Sequence, residues 1–195
     1  MYGKTKAGSG LPVLVEDTGA LILSRGGKYR EATEDGRVFA VANQAAVTTT
    51  AGLAATYTGL ALCNPVGSGK NFALLGFGYV NTKAVPTVAT VVGIMTGGGV
   101  GAATSVIAGR NRLSGGPSSV AYVDSAVVFT EAPVLEQVFS TFQFSASNEA
   151  IGPSVNWIDL EGSVIVTPGY HVSAYNQEIN ATTFIYSFLW EEYTP

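Results

Sequence analysis

Tyr57-Thr58-Gly59-Leu60-Ala61-Leu62-Cys63-Asn64-Pro65-Val66-Gly67-Ser68-Gly69-Lys70-Asn71-Phe72-Ala73-Leu74-Leu75-Gly76-Phe77-Gly78-Tyr79-Val80 is two apolar runs joined by a polar, glycine-containing loop. The loop has the outline of a phosphate cradle. That motif needs G-x-x-x-x-G-K-[ST] between a strand and a helix, so that backbone amides wrap the phosphates and a hydroxyl holds Mg²⁺. Gly69 and Lys70 fit, but Asn64 stands where the first glycine belongs and Asn71 where the hydroxyl belongs. The run after it, residues 72–80, has the composition of a strand, so no helix N-terminus follows to receive an anion. The stretch therefore reads as strand, polar loop, antiparallel strand, and the nucleotide-binding reading falls away.

Outward from this stretch the same pattern repeats. Residues 38–42 form an apolar run before it, and residues 88–96 and 102–107 flank Gly97-Gly98-Gly99 and Gly101 as a hairpin of buried strands. Residues 120–123 and 126–130 flank Asp124-Ser125, residues 154–158 and 163–166 flank Asp159 to Gly162, and Pro168-Gly169 makes a turn before residues 170–175. A last run covers residues 182–190. These segments are rich in Val, Thr, Phe and Tyr and bounded by Gly, Pro, Asn and Ser, which marks strands and turns of an all-β antiparallel sandwich or barrel. One run stays open between two readings: in residues 132–144, Leu135, Val138, Phe139 and Phe142 have helical spacing, while Phe142-Gln143-Phe144 alternates.

The chain has 195 residues, of which 47% are apolar and only 12% charged, against about 25% charged in an ordinary soluble domain. Such a chain is too apolar for disorder. Its net charge of −4 argues against a polyanion partner, because phosphate neutralisation needs clustered Lys and Arg. With Cys63 and His171 each alone in their kind, neither an intrachain disulfide framework nor a Cys/His metal cage is expected, and no cofactor is. The uncharged stretch between Lys83 and Arg110 is long enough to span a bilayer, but its glycines, Thr and Pro favour buried strands, so no membrane role is expected. The residues after the basic Met1-Tyr2-Gly3-Lys4-Thr5-Lys6 lack the apolar run of a signal peptide, which leaves an intracellular start as the expectation.

The few charges are unevenly placed. Residues 1–37 carry six of the ten basic and five of the fourteen acidic groups; residues 38–195 keep Lys70, Lys83, Arg110 and Arg112 against nine acids. A boundary near Arg37 follows, with an N-terminal arm at 1–37 and a β-body at 38–195. In the arm, Leu11-Pro12-Val13-Leu14-Val15 and Ala20-Leu21-Ile22-Leu23 make a hairpin-sized pair around Asp17-Thr18-Gly19, followed by an exposed connection through residues 24–37. A lone hairpin is marginal in water and must lie on something. Strand addition to a neighbour's sheet edge suits it, with Leu11, Val13, Val15, Leu21 and Leu23 as apolar contacts and Arg25, Lys28 and Arg30 among the orienting charges.

Catalytic constellations are thin. No Gly-x-Ser-x-Gly elbow or zinc-binding His pair occurs, and no catalytic residue or enzymatic activity is expected. His171 shares a strand face with Ser173 and Tyr175, where a structural role outweighs a catalytic one. Trp157, Asp159 and Glu161 are spaced to face one side of a strand; with Tyr170 and Tyr175 they could form a sugar platform. Asn180-Ala181-Thr182 matches the N-glycosylation acceptor, and Cys63 reads as a small buried hydrophobe. Apolar strands such as residues 88–96 call for more cover than one sandwich supplies, which points to a closed homo-oligomer, most simply a trimer.

Leu11-Pro12-Val13-Leu14-Val15-Glu16-Asp17-Thr18-Gly19-Ala20-Leu21-Ile22-Leu23, Thr58-Gly59-Leu60-Ala61-Leu62-Cys63-Asn64-Pro65 with the Lys70 loop, Gly162-Ser163-Val164-Ile165-Val166-Thr167-Pro168-Gly169-Tyr170 and Phe184-Ile185-Tyr186-Ser187-Phe188-Leu189-Trp190-Glu191-Glu192 resemble virion structural proteins of tailed bacteriophages. They are similar in particular to jelly-roll capsid cement or decoration proteins. The resemblance implies a jelly-roll β-sandwich with an extended arm, made in the host cytoplasm and placed on the capsid exterior. It further implies a homotrimer that binds the major capsid protein and stabilises the assembled shell. The arm here is short for that family. Alternatives of other classes are a receptor- or glycan-binding head that meets a host-surface glycan, a tail-associated structural protein, and an enzyme.

Overall fold

The computed structural model describes residues 2–4, 10–12, 27–82, 90–101, 105–142, 156–177 and 183–195. Strands β1 (Tyr2–Lys4) and β2 (Gly10–Pro12) pair with each other, and a single helical turn and a half, α1 (Arg30–Glu34), precedes the body. The body runs β3 (Val38–Ala42), β4 (Val47–Thr48), β5 (Thr56–Cys63), β6 (Asn71–Asn81), β7 (Thr90–Gly98), β8 (Val106–Ile107), β9 (Arg110–Asn111), β10 (Tyr122–Val128), β11 (Val134–Phe142), β12 (Asn156–Val166), β13 (Tyr170–Asn176) and β14 (Thr183–Tyr193).

Two antiparallel sheets pack face to face. One has the order β11-β7-β13-β5-β10-β8, the other β12-β6-β14-β3-β9 with β4 on the end of β14. Four nested antiparallel pairs, β3 with β14, β5 with β13, β6 with β12 and β7 with β11, are distributed alternately between the sheets. The chain thus behaves as one long hairpin rolled up, which is the jelly-roll arrangement. The tip of that hairpin, between β7 and β11, carries β8, β9 and β10. They return to the opposite flank, where β10 pairs with β5 and β9 with β3. The edges of β5 and β3 on that flank are thus covered by the chain itself.

The alternation of β14 shows why the sheets must stack. Phe184, Tyr186, Phe188 and Trp190 are buried, with partly exposed Ile185, Ser187 and Leu189 between them. They meet Phe72, Leu74, Phe77 and Tyr79 of β6 and, from the other sheet, Leu60, Leu62, Val92, Ile94 and Val172. Phe77 sits at the centre, with ring centroids 5.3–5.9 Å from those of Tyr79, Phe139, Tyr186 and Phe188. A second, smaller core lies on the far face of the β5 sheet, where Tyr57, Ala61, Cys63 and Met95 are covered by Val127 and Phe129. The approach is so close at Gly101 that a Cβ would collide with the Val128 carbonyl.

Several sequence expectations change. Within residues 132–144, Val134–Phe142 form a strand, β11, which pairs with β7 rather than presenting a helical face; residues 143–144 lie outside the described residues. The segments around Asp124-Ser125 and around residues 159–162 are single strands interrupted by bulges. Asp124 is buried and accepts from the Ser105 and Ala126 amides, at 3.0 and 2.7 Å, while Glu161 and Gly162 take left-handed φ of 52° and 78°. The strands flanking the Gly97 run are not a hairpin: β7 and β8 lie far apart in their sheet. The loop after Cys63 crosses between sheets rather than joining paired strands. The connection before Val38 contains α1. Cover for residues 90–96 comes from the same chain, through Val92 and Ile94 in the main core and Met95 in the second. Residues 13–26 fall outside the described residues, and with them most of the expected hairpin; Leu11 and Pro12 pair instead with Gly3 and Tyr2.

His171 is fully buried in the second core, its ring stacked on Phe129 at 3.7 Å, and neither ring nitrogen has a hydrogen-bond partner among the described residues. Desolvation lowers its pKa to about 4. The unfolded chain takes up the proton below about pH 6.5, so stability falls as pH drops from there through 4, by on the order of 3 kcal/mol. Urea unfolding at pH 7 and pH 4.5 should therefore show a smaller acid loss for His171→Leu than for the parent; equal losses contradict this. Phe77→Ala is expected to cost about 3–5 kcal/mol at either pH, measured the same way.

Candidate functional site

The loop that resembles a phosphate cradle is a structural knot. Asn64, in place of the cradle's first glycine, is buried, and its Nδ2 donates to the Lys70 and Val166 carbonyls, each at 2.8 Å. Its Oδ1 accepts from Ser68 Oγ at 2.6 Å, and its backbone bonds Tyr170 and Gly169. The loop's polar capacity is spent on joining β5, β6 and the β12–β13 turn. Cys63 is buried and its thiol is pushed up to about 12 by burial, as expected of a packing residue.

The outer face of the β14 sheet holds a more open arrangement. Trp157 of β12 lies opposite Gly78 of β6, Gly78 opposite Ser187 of β14, and Ser187 opposite Ala42 of β3. One row along, Asp159, Gly76, Leu189, Ala40 and Arg110 follow one another across the sheet. The floor is of small side chains around Leu189, with a tryptophan on one bank and Arg110 and Arg112 on the other. Together they line a trough of about 460 Å³. The indole lies across both glycines: a Cβ at Gly76 would run into its six-membered ring, and one at Gly78 would sit 2.9 Å from Cε3. Glycine in a strand interior costs about 0.5–1 kcal/mol relative to alanine, so β6 gives up stability to seat this ring. Trp157 is nonetheless 52% exposed.

Beside the trough, the end of the arm is fastened to the body. Lys28 Nζ bonds Asp159 at 2.7 Å and also Glu161, while Tyr29 OH donates to Asp159 Oδ1 at 2.6 Å. The carboxylates and the hydrogen bonds raise the Lys28 pKa, and Lys28 with Tyr29 lowers that of Asp159. Burial, then the Asp159 carboxylate, raises that of Tyr29. Arg37 pairs with Asp35 and with Glu191 of β14. The left-handed turn at Glu161 and Gly162 projects the Glu161 carboxylate to this point.

These placements rearrange the residues singled out from sequence. Lys28 and Arg30 face intramolecular partners, Asp159 and Glu161 for the first and Glu34 for the second. Leu11 is in β2; Val13, Val15, Leu21, Leu23 and Arg25 lie outside the described residues, as does Asn180-Ala181-Thr182. The four-residue sugar platform is not assembled. Trp157 and Asp159 stand on the outer face of the β14 sheet, while Tyr170 and Tyr175 belong to β13 in the other sheet. Sequence reading missed Arg110 and Arg112, whose only signal was their position in a polar loop. Compared with protein-family models, curated proteins and solved structures, the chain matches none.

Gly76→Ala should lift the indole from the sheet and cost about 1–3 kcal/mol. Acrylamide quenching reads the displacement, since Trp190 is fully buried and Trp157 supplies the quenchable signal. An unchanged quenching constant would contradict the seating of the ring.

Proposed function

We propose that the chain is a structural protein of a virus particle, a capsid cement or decoration subunit that binds the assembled shell as a homotrimer and stabilises it. Jelly-roll sandwiches host many functions, so the fold alone does not carry this reading. The observation that carries it is the rooted arm. Lys28, Tyr29 and Arg37 fix the arm's last residues to three acids of an otherwise charge-poor body, Asp159, Glu161 and Glu191. A fixed root allows the preceding residues to bind a partner without losing the body's orientation.

In this reading the arm contacts the major capsid protein by strand addition. Interface is added across subunit boundaries, so the shell is stabilised by linkage to its assembled state. Sister copies pack against the flank that the tip insertion leaves open, where β11 is an edge strand and Val134 and Val138 are 66% and 48% exposed. The site of action is the capsid exterior, after synthesis in the host cytoplasm.

Deletion of residues 1–26 keeps the root and removes the arm. The truncated chain is expected to retain the fold, by far-UV circular dichroism, and the oligomeric state of the full chain, yet to stay in the supernatant when capsids of its virus are sedimented. Full-length chain that fails to co-sediment, or truncated chain that co-sediments equally, contradicts the reading.

A further inference from the structure

The trough on the outer face of the β14 sheet has the features of a ligand site. Its volume of about 460 Å³ is within the usual range of roughly 300–1,000 Å³ for small-molecule pockets. A second cavity of about 250 Å³ adjoins it and shares Val41, Ala42 and Arg110. The geometry points to a binding site for an acidic oligosaccharide, with one sugar ring stacked on Trp157 and a carboxylate of the chain held by Arg110 and Arg112.

Three features select that chemistry. First, the indole is held flat on the backbone of Gly76 and Gly78, so one face is buried and the other is offered to the trough. A flat, exposed aromatic face takes an apolar face of a ligand, and the CH face of a pyranose is one. Second, Arg110 and Arg112 are exposed and make no ion pair among the described residues. Guanidinium groups recognise carboxylates through paired N–H donors, and two of the body's four basic residues stand on this one bank. Third, the two banks are four strands apart, β12 to β9, or about 19 Å between backbones at about 4.8 Å per strand. A single small anion cannot touch both; a short oligomer with an apolar face and a displaced acid can.

The nearest acid on the tryptophan's bank, Asp159, is engaged by Lys28 and by the Tyr29 hydroxyl, which draws its carboxylate away from the role of a free anion at the trough. Polynucleotides also combine flat faces with negative charge. The net charge of −4 and the presence of only two arginines at the site favour the sugar acid, because polyanion binding draws on many phosphate contacts. The site does not rest on the cement reading, since the isolated chain suffices to test it.

The experiment is a titration of the full-length chain with oligogalacturonates of two to six residues, followed by Trp157 fluorescence, with neutral galacto-oligosaccharides as controls. The acidic oligomers are expected to bind at least tenfold more tightly than the neutral ones. Trp157→Ala should weaken acidic binding at least tenfold, and Arg110→Gln with Arg112→Gln should abolish the acidic preference. All three positions are exposed; circular dichroism checks that each variant is folded, and Trp157→Phe should recover part of the binding. The variants lacking Trp157 are read by calorimetry. No preference for the acidic oligomers, binding unaffected by these substitutions, or displacement by single-stranded oligo-dT at equal concentration would each overturn the assignment.

Discussion

The row Phe184, Tyr186, Phe188 and Trp190 on the inner face of β14 is the constraint on which the structure depends. Four large aromatic groups on one side of a central strand cannot be covered by the strand's own neighbours. They need a second sheet, and β5, β7 and β13 supply it with Leu60, Leu62, Val92, Ile94 and Val172. Because β3, β6, β12 and β14 alternate with β5, β7, β11 and β13 along the nested pairs, satisfying this row commits most of the chain to one topology. Trp190 extends the constraint to the tip insertion. Gly109 packs against its ring, and its neighbour Glu192, also buried, accepts hydrogen bonds from Ser119, from the Val120 amide and from the indole N–H. A buried carboxylate with this many donors fixes the insertion over the flank it closes.

The elements legible in the sequence were those whose periodicity is local. Residues 38–42, 57–63 and 72–80 show their burial in the letters, and β3, β5 and β6 follow them closely. Bulges were not legible. Asp124 and Glu161 look like turn residues, but each sits inside a strand at a register shift, which changes which side chains face inward. Val123 accordingly points into the main core and Val127 into the second. The hairpin around Gly97 failed for a different reason: partner choice in a rolled-up sandwich is set by the far end of the chain, as β13 and β11 pair with β7.

The same distance in sequence hid the site. Lys28 and Asp159 are 131 residues apart, and nothing local announces their pairing. Trp157 was visible as an aromatic group beside two acids. Its counterpart across the sheet was not, because Arg110 reaches that face only through the insertion's pairing with β3. Asn64 departs from the phosphate-loop pattern at its first glycine. Its five hydrogen bonds show a residue selected to join three segments.

Low charge takes on a definite meaning in this geometry. The body's acids are partly consumed inside the fold: Asp124 and Glu192 are buried, Asp159 and Glu161 share Lys28, and Glu191 pairs with Arg37. What remains is a surface with little charge, an arm with a fixed root and one flank of the sandwich ending in β11 and β12. The proposed capsid role would use these features for repeated placement on a symmetric lattice. The most direct measurement of the proposed capsid role is the chain's stoichiometry to the coat protein in purified particles of the virus that the proposal assigns it to, by quantitative mass spectrometry. A shell-binding role predicts a fixed ratio that tracks the number of lattice positions; a handful of copies per particle, or none, would contradict it.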